Sequence, residues 1–254
     1  MSGRIEGKRG VVTGAGMGIG RAAAIKFASE GARMGLIDVN EAAAKDTAAA
    51  IEAAGGEAIV LPADVTNEEQ VAGAIDSVVS QWGGLDVVIS NAGVLWAGKD
   101  DRADRLDVDV WRTVVDINLT GMFITCKHGI RALLAAGGGA VVCTASPTGL
   151  FGLAPGLDAY SSSKAGVYGL IRVMANDYAK EGIRVNGVIP GYTDTPMNDY
   201  VEHPAGHEKI VSSIPLGRQG TAEEVANVMC FLASDEASYV TGAVWAADGG
   251  MTAI

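Results

Sequence analysis

The stretch that decides the fold is Thr13–Gly20, which reads TGAGMGIG. It follows the apolar run Gly10–Thr13 and leads directly into the helical pattern of Ile19–Glu30. Glycines let a backbone approach a pyrophosphate closely, and the N-terminus of a helix offers that group N–H donors and a positive dipole. The spacing is G-x-x-x-G-x-G, which differs from the dinucleotide pattern G-x-G-x-x-G. A tight turn would also need glycines, but the position between a strand and a helix favours a nucleotide-binding loop.

Outward from this loop, short apolar runs alternate with helical stretches. The alternation predicts βαβ units, and therefore an α/β fold: a Rossmann-like doubly wound sheet of about seven parallel strands with helices on both faces. No linker rich in proline and serine divides the chain, so residues 1–254 are expected to form one domain. The predicted strands are Gly10–Thr13, Arg33–Asp38, Glu57–Leu61, Leu85–Ser90, Gly139–Thr144, Ile183–Ile189 and Ala243–Ala247. The predicted helices are Ile19–Glu30, Glu41–Ala54, Glu68–Trp82 after the N-cap Asn67, Trp111–Ala136 in one or two pieces, Ala159–Lys180 and Ala222–Ala233.

The composition argues against several classes of function. Of 254 residues, 48% are hydrophobic, which is typical of a chain with a well-buried core. The net charge of −11, without clusters of lysine and arginine, argues against nucleic acid and anionic membranes as partners. No uncharged apolar run approaches about 18 residues, and the N-terminal MSGRIEGKRG lacks the apolar segment of a signal peptide.

The cysteines and histidines do not form a metal-binding pattern. Cys126, Cys143 and Cys230 include no C-x-x-C pair, and we expect three reduced, buried thiols in a cytoplasmic protein. His203 and His207 have the spacing of helical metal ligands, but a proline and a glycine lie between them and no third ligand is evident. We therefore expect no metal.

Asp38 ends the second predicted strand, at the carboxyl edge of the sheet where such folds bind their ligands. An acidic side chain there can accept hydrogen bonds from the ribose hydroxyls of NAD, whereas it would repel the 2′-phosphate of NADP. Met17 supplies no cation for that phosphate, so we predict NAD; Asp38 could also cap the following helix. Asp64, before Val65, could bind the adenine amino group or cap a helix. The loops at this edge begin at Thr13, Asp38, Asp64, Asn91, Thr144 and Pro190.

Tyr160 and Lys164 are four residues apart on a predicted helix, so they share one face. A free phenol is a poor base at neutral pH, but a nearby ammonium favours the phenolate. Tyr160 could then exchange a proton with an alcohol or a carbonyl oxygen. Ser146 lies just past the fifth predicted strand, where its hydroxyl could hold the substrate oxygen; a turn serine before Pro147 is the alternative.

These motifs, taken in order, resemble the short-chain dehydrogenase/reductase family, in its branch of chains about this long. The resemblance runs nearly from end to end, and the ordered set is far more specific than any single motif. It rests on Thr13–Gly20, Asp64, Asn91-Ala92-Gly93, Asn118, Ser146, Tyr160, Lys164, Pro190-Gly191, Thr195 and Asp248-Gly249-Gly250.

The resemblance implies a role for each matching residue. Tyr160 would be the acid/base, Lys164 would also bind the nicotinamide ribose, Ser146 would orient the substrate oxygen, and Asn118 would hold a water in a proton relay to Lys164. It also implies a homotetramer built through the long helices and the C-terminal strand. The residues expected to bind the cofactor are Gly14, Gly16, Met17, Gly18, Ile19, Asp38, Val39, Asp64, Val65, Asn91, Ala92, Gly93, Tyr160, Lys164, Pro190, Gly191, Thr193 and Thr195.

Two segments depart from the family pattern. Ser146 precedes Tyr160 by one residue more than the commoner family spacing, which leaves Thr144 and Thr148 as alternatives for its role. The Trp96–Asp109 segment is slightly long and charged. Residues 192–218 fall where the family carries its substrate lid, and the candidate pocket residues are Tyr192, Met197, Tyr200, Trp96, Leu150, Phe151 and Leu153.

The expected function is NAD-dependent interconversion of a secondary alcohol and a ketone by hydride transfer. The alternatives are an NADP(H)-dependent 3-oxoacyl reductase of the same family, which Asp38 disfavours, and a non-catalytic NAD-binding sensor. A sensor need not keep Asn118, Ser146, Tyr160 and Lys164 together. An epimerase or dehydratase of the family's longer branch would need a larger C-terminal substrate region.

Overall fold

A sheet of seven parallel strands runs through the part of the chain that the computed structural model describes, residues 3–198 and 204–253. The strand order is β3-β2-β1-β4-β5-β6-β7, and every neighbouring pair is parallel. The doubly wound fold expected from the sequence is therefore confirmed. The strands are β1 Arg9–Thr13, β2 Arg33–Asp38, β3 Glu57–Pro62, β4 Val87–Ser90, β5 Gly139–Thr144, β6 Ile183–Pro190 and β7 Val244–Ala247.

Helices cover both faces of the sheet. Successive residues of a strand point to opposite faces, and Val11 and Val12 of β1 accordingly belong to different apolar clusters. Val12 packs in a cluster with α1, α2 and α8, whereas Val11 packs with α3, α5 and α6. The helices are α1 Gly18–Ser29, α2 Glu41–Ala53, α3 Glu68–Trp82, α4 Val108–Val115, α5 Gly121–Ala136, α6 Asp158–Tyr178, α7 Pro204–Ser212 and α8 Ala222–Ala233.

Local side-chain caps set the starts of several helices. The Asn40 carboxamide accepts the N–H of Ala43 at the start of α2, and Asn67 caps α3 as its sequence position predicts. Thr221 and Glu224 form a reciprocal capping box on α8. Because Asn40 and Asn67 are the N-caps, the capping roles considered for Asp38 and Asp64 are wrong.

The long helical region predicted as Trp111–Ala136 is two α-helices joined by a π-helical turn. It begins earlier, at Val108, because the Asp107 carboxylate accepts the N–H of Asp109. The π-helical turn Asp116–Thr120 continues into α5 without a break in helical direction. A single wide turn hardly disturbs the helical pattern of a sequence, so the pattern could not place it.

The predicted lid contains a helix that the sequence reading missed, α7. A proline and a glycine near its start argued against a helix, but proline is tolerated in a first turn. Two backbone hydrogen bonds hold the ends of the lid segment together. The Gly220 N–H donates to the Tyr192 carbonyl at 3.0 Å, and the Asp194 N–H donates to the Gly220 carbonyl at 2.8 Å. Over the described ranges, no helix is both long and apolar enough to cross a membrane.

Candidate active site

The glycine loop joins β1 to α1 and leaves the N-terminus of α1 open. Gly14 and Gly18 have φ of +68° and +54°, a region that favours glycine. A Cβ on Gly16 would lie 2.8 Å from the Ala43 Cβ, so a residue larger than glycine would clash with α2 at this point. Within the described chain, Met17 gives α1 no side-chain cap and its first turn holds no acidic residue. These backbone N–H groups fit a phosphate chemically.

Asp38 lies beside this loop, at the end of β2. Its Oδ2 accepts the Gly16 N–H at 2.8 Å, and its Oδ1 accepts the Asn40 N–H at 2.8 Å. Both bonds leave carboxylate lone pairs unused, because an ionised carboxylate has about four acceptor positions. The neighbouring Val39 is 77% exposed. The structure therefore brings a fixed carboxylate and an open apolar side chain to the edge of the glycine loop.

Asp64 and Val65 follow β3. The Asp64 Oδ1 accepts both the N–H and the hydroxyl of Thr66, at 2.9 and 2.8 Å, which closes a local turn. Asp64 is exposed, whereas Val65 is buried. A Cβ on Gly121 would lie 2.7 Å from the Val65 side chain, so Val65 packs closely against the start of α5.

Asn91, at the end of β4, connects three strands. Its side-chain amide donates to the Thr13 carbonyl at 3.2 Å and accepts the Thr144 hydroxyl at 3.0 Å. The Thr13 hydroxyl accepts the N–H groups of Asn91 and Ala92. A Cβ on Gly93 would lie 3.6 Å from the Lys164 Nζ. The Asn91–Gly93 segment thus joins the glycine loop to the region of Lys164.

Tyr160 and Lys164 lie side by side on α6, both buried. The Lys164 Nζ is 5.9 Å from the centre of the Tyr160 ring and donates to the Thr144 carbonyl at 2.9 Å. Burial disfavours the ammonium and lowers the pKa of Lys164 from 10.5 to about 8, against a smaller opposing influence of Cys143. The predicted pair is therefore brought together in a buried environment.

Ser146 lies two residues beyond β5 and caps the 3₁₀ turn Pro147–Gly149. Ser146 as a residue is 5% exposed, and its hydroxyl lies 3.0 Å from the Thr148 hydroxyl. Thr144, one alternative for its role, uses its hydroxyl to bond Asn91. A loop runs from the 3₁₀ turn to Asp158, where α6 begins, and the placement of the extra residue in this loop stays a prediction.

Asn118 is fully buried in the π-helical turn. Its carboxamide accepts the Val94 N–H at 2.7 Å and donates to the Val94 carbonyl at 2.9 Å and to the Ser163 hydroxyl at 3.1 Å. The side chain therefore fastens the segment after β4 to α6, one residue before Lys164. The water relay implied for Asn118 stays a prediction.

The loop after β6 approaches the glycine loop. A Cβ on Gly18 would lie 3.4 Å from the Thr195 side chain, and one on Gly191 would lie 2.6 Å from the Asp248 Cα. The Thr193 hydroxyl donates to the Gly191 carbonyl at 3.0 Å. Pro190, Gly191, Thr193 and Thr195 thus lie at the same sheet edge as Gly14–Ile19.

Most of the predicted pocket residues that the structure describes are apolar and partly exposed. Leu150, Phe151 and Leu153 are each between 42% and 49% exposed, on the loop before α6. Trp96 packs against the small cluster that contains Tyr160. Tyr192 bonds the His207 ring at 3.1 Å, which connects β6 to α7. Met197 is 40% exposed, and Tyr200 and His203 lie outside the described residues.

Two residues near the site were missed by the sequence reading. The buried Asp100 carboxylate accepts the N–H of Ala159 at 3.1 Å and of Tyr160 at 2.9 Å, and so caps α6 from a distant segment. Tyr168 donates its hydroxyl to the Ser146 carbonyl at 2.8 Å. Nothing in the polar stretch around Asp100 distinguishes it from its neighbours. Tyr168 could have been predicted, because it lies one helical turn after Lys164 on the face that carries Tyr160 and Lys164.

Cys126, Cys143 and Cys230 are all free and buried, as expected. Cys126 and Cys143 bring their sulfur atoms to 3.9 Å. Within residues 3–198 and 204–253, no group of three or more His, Cys, Asp or Glu side chains could hold a metal ion.

Comparison with known proteins identifies the family. The family model described as Enoyl-(Acyl carrier protein) reductase matches residues 14–252. The chain is 44% identical to cis-4-hydroxycyclohexanecarboxylate dehydrogenase of Sinomonas cyclohexanicum, over 96% of each chain. It is 39% identical to cyclohexanol dehydrogenase of Acinetobacter sp. (strain SE19), over 99% of this chain and 98% of that one.

A solved structure shows the same fold at full length. Carveol dehydrogenase from Mycobacterium avium, solved in complex with NAD, matches with a TM-score of 0.93 and 32% identity, over 99% of this chain and 100% of that chain. The relatives are oxidoreductases of alcohols and ketones, and the family binds a nicotinamide cofactor. The chain therefore belongs to the short-chain dehydrogenase/reductase family, in its branch of about 250 residues.

Proposed function

We propose that this chain is an NAD-dependent dehydrogenase that oxidises a secondary alcohol on a carbocyclic ring to the ketone, with Tyr160 as the acid/base. The observation that carries the proposal is the buried set of Ser146, Tyr160 and Lys164 at the same sheet edge as Asp38 and the glycine loop. That arrangement supports a site in which the cofactor and the alcohol meet. Residues 1–254 act in it as one domain, with residues 192–218 as the lid.

The residues that would hold the cofactor fit NAD. The open N-terminus of α1 and the glycine loop suit its pyrophosphate, and Lys164, Thr193 and Thr195 suit its nicotinamide half. The Asp38 carboxylate, fixed by the Gly16 N–H, suits two ribose hydroxyls and opposes a 2′-phosphate. When bound, NAD supplies a hydride acceptor beside Tyr160.

The chain's own residues manage the proton. Ser146 donates to or accepts from the substrate oxygen and holds it near Tyr160, and the Tyr160 phenolate removes the hydroxyl proton as the carbon gives up its hydride. The ammonium of Lys164 favours that phenolate. Burial lowers the pKa of Lys164 to about 8, which is still above neutral pH, so its charge persists there. Asn118 holds the water through which Tyr160 and Lys164 exchange the proton with solvent.

The substrate class is supported by the entrance to the site and by the relatives. Leu150, Phe151 and Leu153 present apolar surface on the loop between Ser146 and Tyr160. Such surface favours a hydrocarbon ring as the part of the substrate that it contacts. Cyclohexanol, cis-4-hydroxycyclohexanecarboxylate and carveol, named for the relatives, all carry a hydroxyl on a six-membered ring.

A second candidate is an NADP(H)-dependent 3-oxoacyl reductase of the same family, because one relative, from Thermotoga maritima, is a 3-oxoacyl-[acyl-carrier-protein] reductase. Asp38 argues against it, since a carboxylate at the ribose repels the extra phosphate of NADP. A non-catalytic NAD sensor is the third candidate, and measurable turnover would dismiss it.

The test is a set of initial rates followed by NADH absorbance. We expect cyclohexanol and cis-4-hydroxycyclohexanecarboxylate to be oxidised with NAD, and the open-chain alcohol 2-hexanol to be a poorer substrate at equal concentration. Equal efficiency with NAD and NADP would overturn the cofactor assignment. Faster oxidation of 2-hexanol than of either ring alcohol would overturn the substrate class.

A homotetramer completes the proposal. Leu119, Phe123, Leu170 and Val173 line an apolar groove of about 440 Å³ between the start of α5 and the outer face of α6. Phe123 and Val173 are about half exposed, at 47% and 51%, and a second copy of this chain would cover them. Light scattering should give a mass of four chains, and a monomer would refute the assembly. The three buried thiols suit the reducing cytoplasm, where we place the enzyme.

A further inference from the structure

One face of α6 carries three functional side chains in successive turns: Tyr160, Lys164 and Tyr168. Tyr168 is 3% exposed, and its hydroxyl donates to the Ser146 carbonyl at 2.8 Å. Lys164 donates in the same way to the Thr144 carbonyl at 2.9 Å. The helix thus holds two alternate carbonyls of the chain as it leaves β5.

Ser146 needs such a hold because it lies beyond the sheet. The last strand-like bond of this segment is from the Ala145 N–H to the Val188 carbonyl at 2.9 Å. After it, the Ser146 carbonyl accepts the Tyr168 hydroxyl and, at 3.2 Å, the Gly149 N–H of the 3₁₀ turn. Two donors from different elements therefore fix the peptide of Ser146.

We propose that Tyr168 is a positioning residue that fixes the backbone of Ser146 so that its hydroxyl faces the substrate oxygen beside Tyr160. The inference rests on the proposed function, because it requires that Ser146 hold the substrate. Tyr168 does not touch the substrate itself. It acts through the carbonyl of Ser146 and leaves the serine hydroxyl available.

The chemical state of Tyr168 suits a permanent donor. Burial raises its pKa to about 12, with a smaller lowering influence of Arg172 and a raising influence of Tyr160. The phenol of Tyr168 therefore keeps its proton at neutral and moderately alkaline pH. On α6, Tyr168 thus stays a hydrogen-bond donor, whereas Tyr160 is the proposed acid/base.

The effect of removing the hydroxyl follows from the geometry. In Tyr168→Phe the ring still fills its place in the apolar cluster around α6, and only the bond to Ser146 is lost. A neutral hydrogen bond contributes about 1 kcal/mol, and a change of that size in barrier height changes the rate roughly five- to tenfold. We expect kcat to fall by that factor, with the KM for NAD unchanged.

The experiment is a double-mutant cycle on kcat with Ser146→Ala, Tyr168→Phe and the double variant, each with its melting temperature. Tyr178→Phe is the matched control: Tyr178 lies on the same helix against the same apolar cluster, and among described residues its hydroxyl has no hydrogen-bond partner. If Tyr168 acts through Ser146, the double variant is no slower than Ser146→Ala alone.

The outcomes separate the two proposals. Full turnover by Ser146→Ala would remove the role of Ser146, and with it the basis for this inference. A large loss in Ser146→Ala, with Tyr168→Phe equal to Tyr178→Phe, would overturn the positioning role and leave the proposed function standing. Additive losses in the double variant, matched by a lower melting temperature of Tyr168→Phe, would mark Tyr168 as structural only.

Discussion

The two halves of the site are constructed in different ways. In the cofactor half, residues 9–82, the groups that face the ligand are backbone N–H groups, placed by glycines and by one carboxylate, Asp38. In the catalytic half, which consists of Ser146 and the start of α6, they are side chains held by partners elsewhere in the chain. Asp100 bonds the backbone of Tyr160, 60 positions away, whereas Asp38 reaches Gly16 over 22 positions.

This difference has a consequence for function. A backbone cradle accepts or rejects a ligand by shape and charge, so changes in the cofactor half should act on KM and on the choice of nucleotide. Side chains that move protons need a defined position, so changes in the catalytic half should act on kcat. The variants Tyr160→Phe, Asp38→Asn and Asp100→Ala test this division.

Tyr160→Phe should have the largest effect. The ring stays packed, but the proton acceptor is gone, so kcat should fall by roughly 10²- to 10⁴-fold. The KM for NAD should change little, because the glycine loop and Asp38 are unaltered. Stopped-flow or long steady-state assays with cyclohexanol would measure both values. Turnover within a fewfold of wild type would contradict the acid/base assignment, and Tyr178→Phe serves as the control.

Asp38→Asn should act in the opposite way, on nucleotide choice. The amide oxygen can still accept the Gly16 N–H, but the charge that binds ribose and repels a 2′-phosphate is lost. A hydrogen bond to a charged group contributes about 1.5–3 kcal/mol, so kcat/KM for NAD should fall roughly 10- to 100-fold and the NAD/NADP ratio should drop. The exposed Asp46→Asn on α2 is the matched control. An unchanged ratio would remove Asp38 from cofactor selection.

Asp100→Ala should have a smaller effect than Tyr160→Phe or Asp38→Asn, and it should act through the position of Tyr160. The N–H groups of Ala159 and Tyr160 lose their acceptor, which should lower the free energy of unfolding by about 1–2 kcal/mol. A displaced Tyr160 should lower kcat roughly three- to tenfold, with the KM for NAD unchanged. Urea unfolding and initial rates would measure both.

The control for Asp100 is Asp104→Ala in the same segment. Asp104 pairs with Arg102 at the surface, where an ion pair contributes little. Equal losses in the two variants would show that Asp100 has no special relation to α6.

The same contrast explains what could be predicted from the sequence. The glycine loop, the N-cap Asn67 and the strand-end position of Asp38 are local patterns, and they lie where the sequence placed them. The cap that Asp100 gives to α6 is a contact through space, and nothing near Asp100 distinguishes it from Asp101. The π-helical turn and α7 were missed because one keeps the helical period and the other begins with poor helix formers.

The smallest effect expected is a change of slope in stability against pH, caused by Lys164. Burial lowers its pKa from 10.5 to about 8. Between these values the unfolded chain binds more protons than the folded chain, so the free energy of unfolding gains a contribution that rises with pH. Below pH 8 both states hold the proton, and the contribution does not change with pH.

Lys164→Met removes this contribution while keeping a side chain of similar length. Urea unfolding between pH 7.5 and pH 10 should therefore show a wild-type slope more positive than that of the variant, by less than about 1.4 kcal/mol per pH unit, the value for one proton. Cys230, whose pKa burial raises to about 11, titrates alike in both proteins and cancels in the difference. Parallel slopes would mean that Lys164 keeps an ordinary affinity for its proton, and that the catalytic half holds its cation without a desolvation cost.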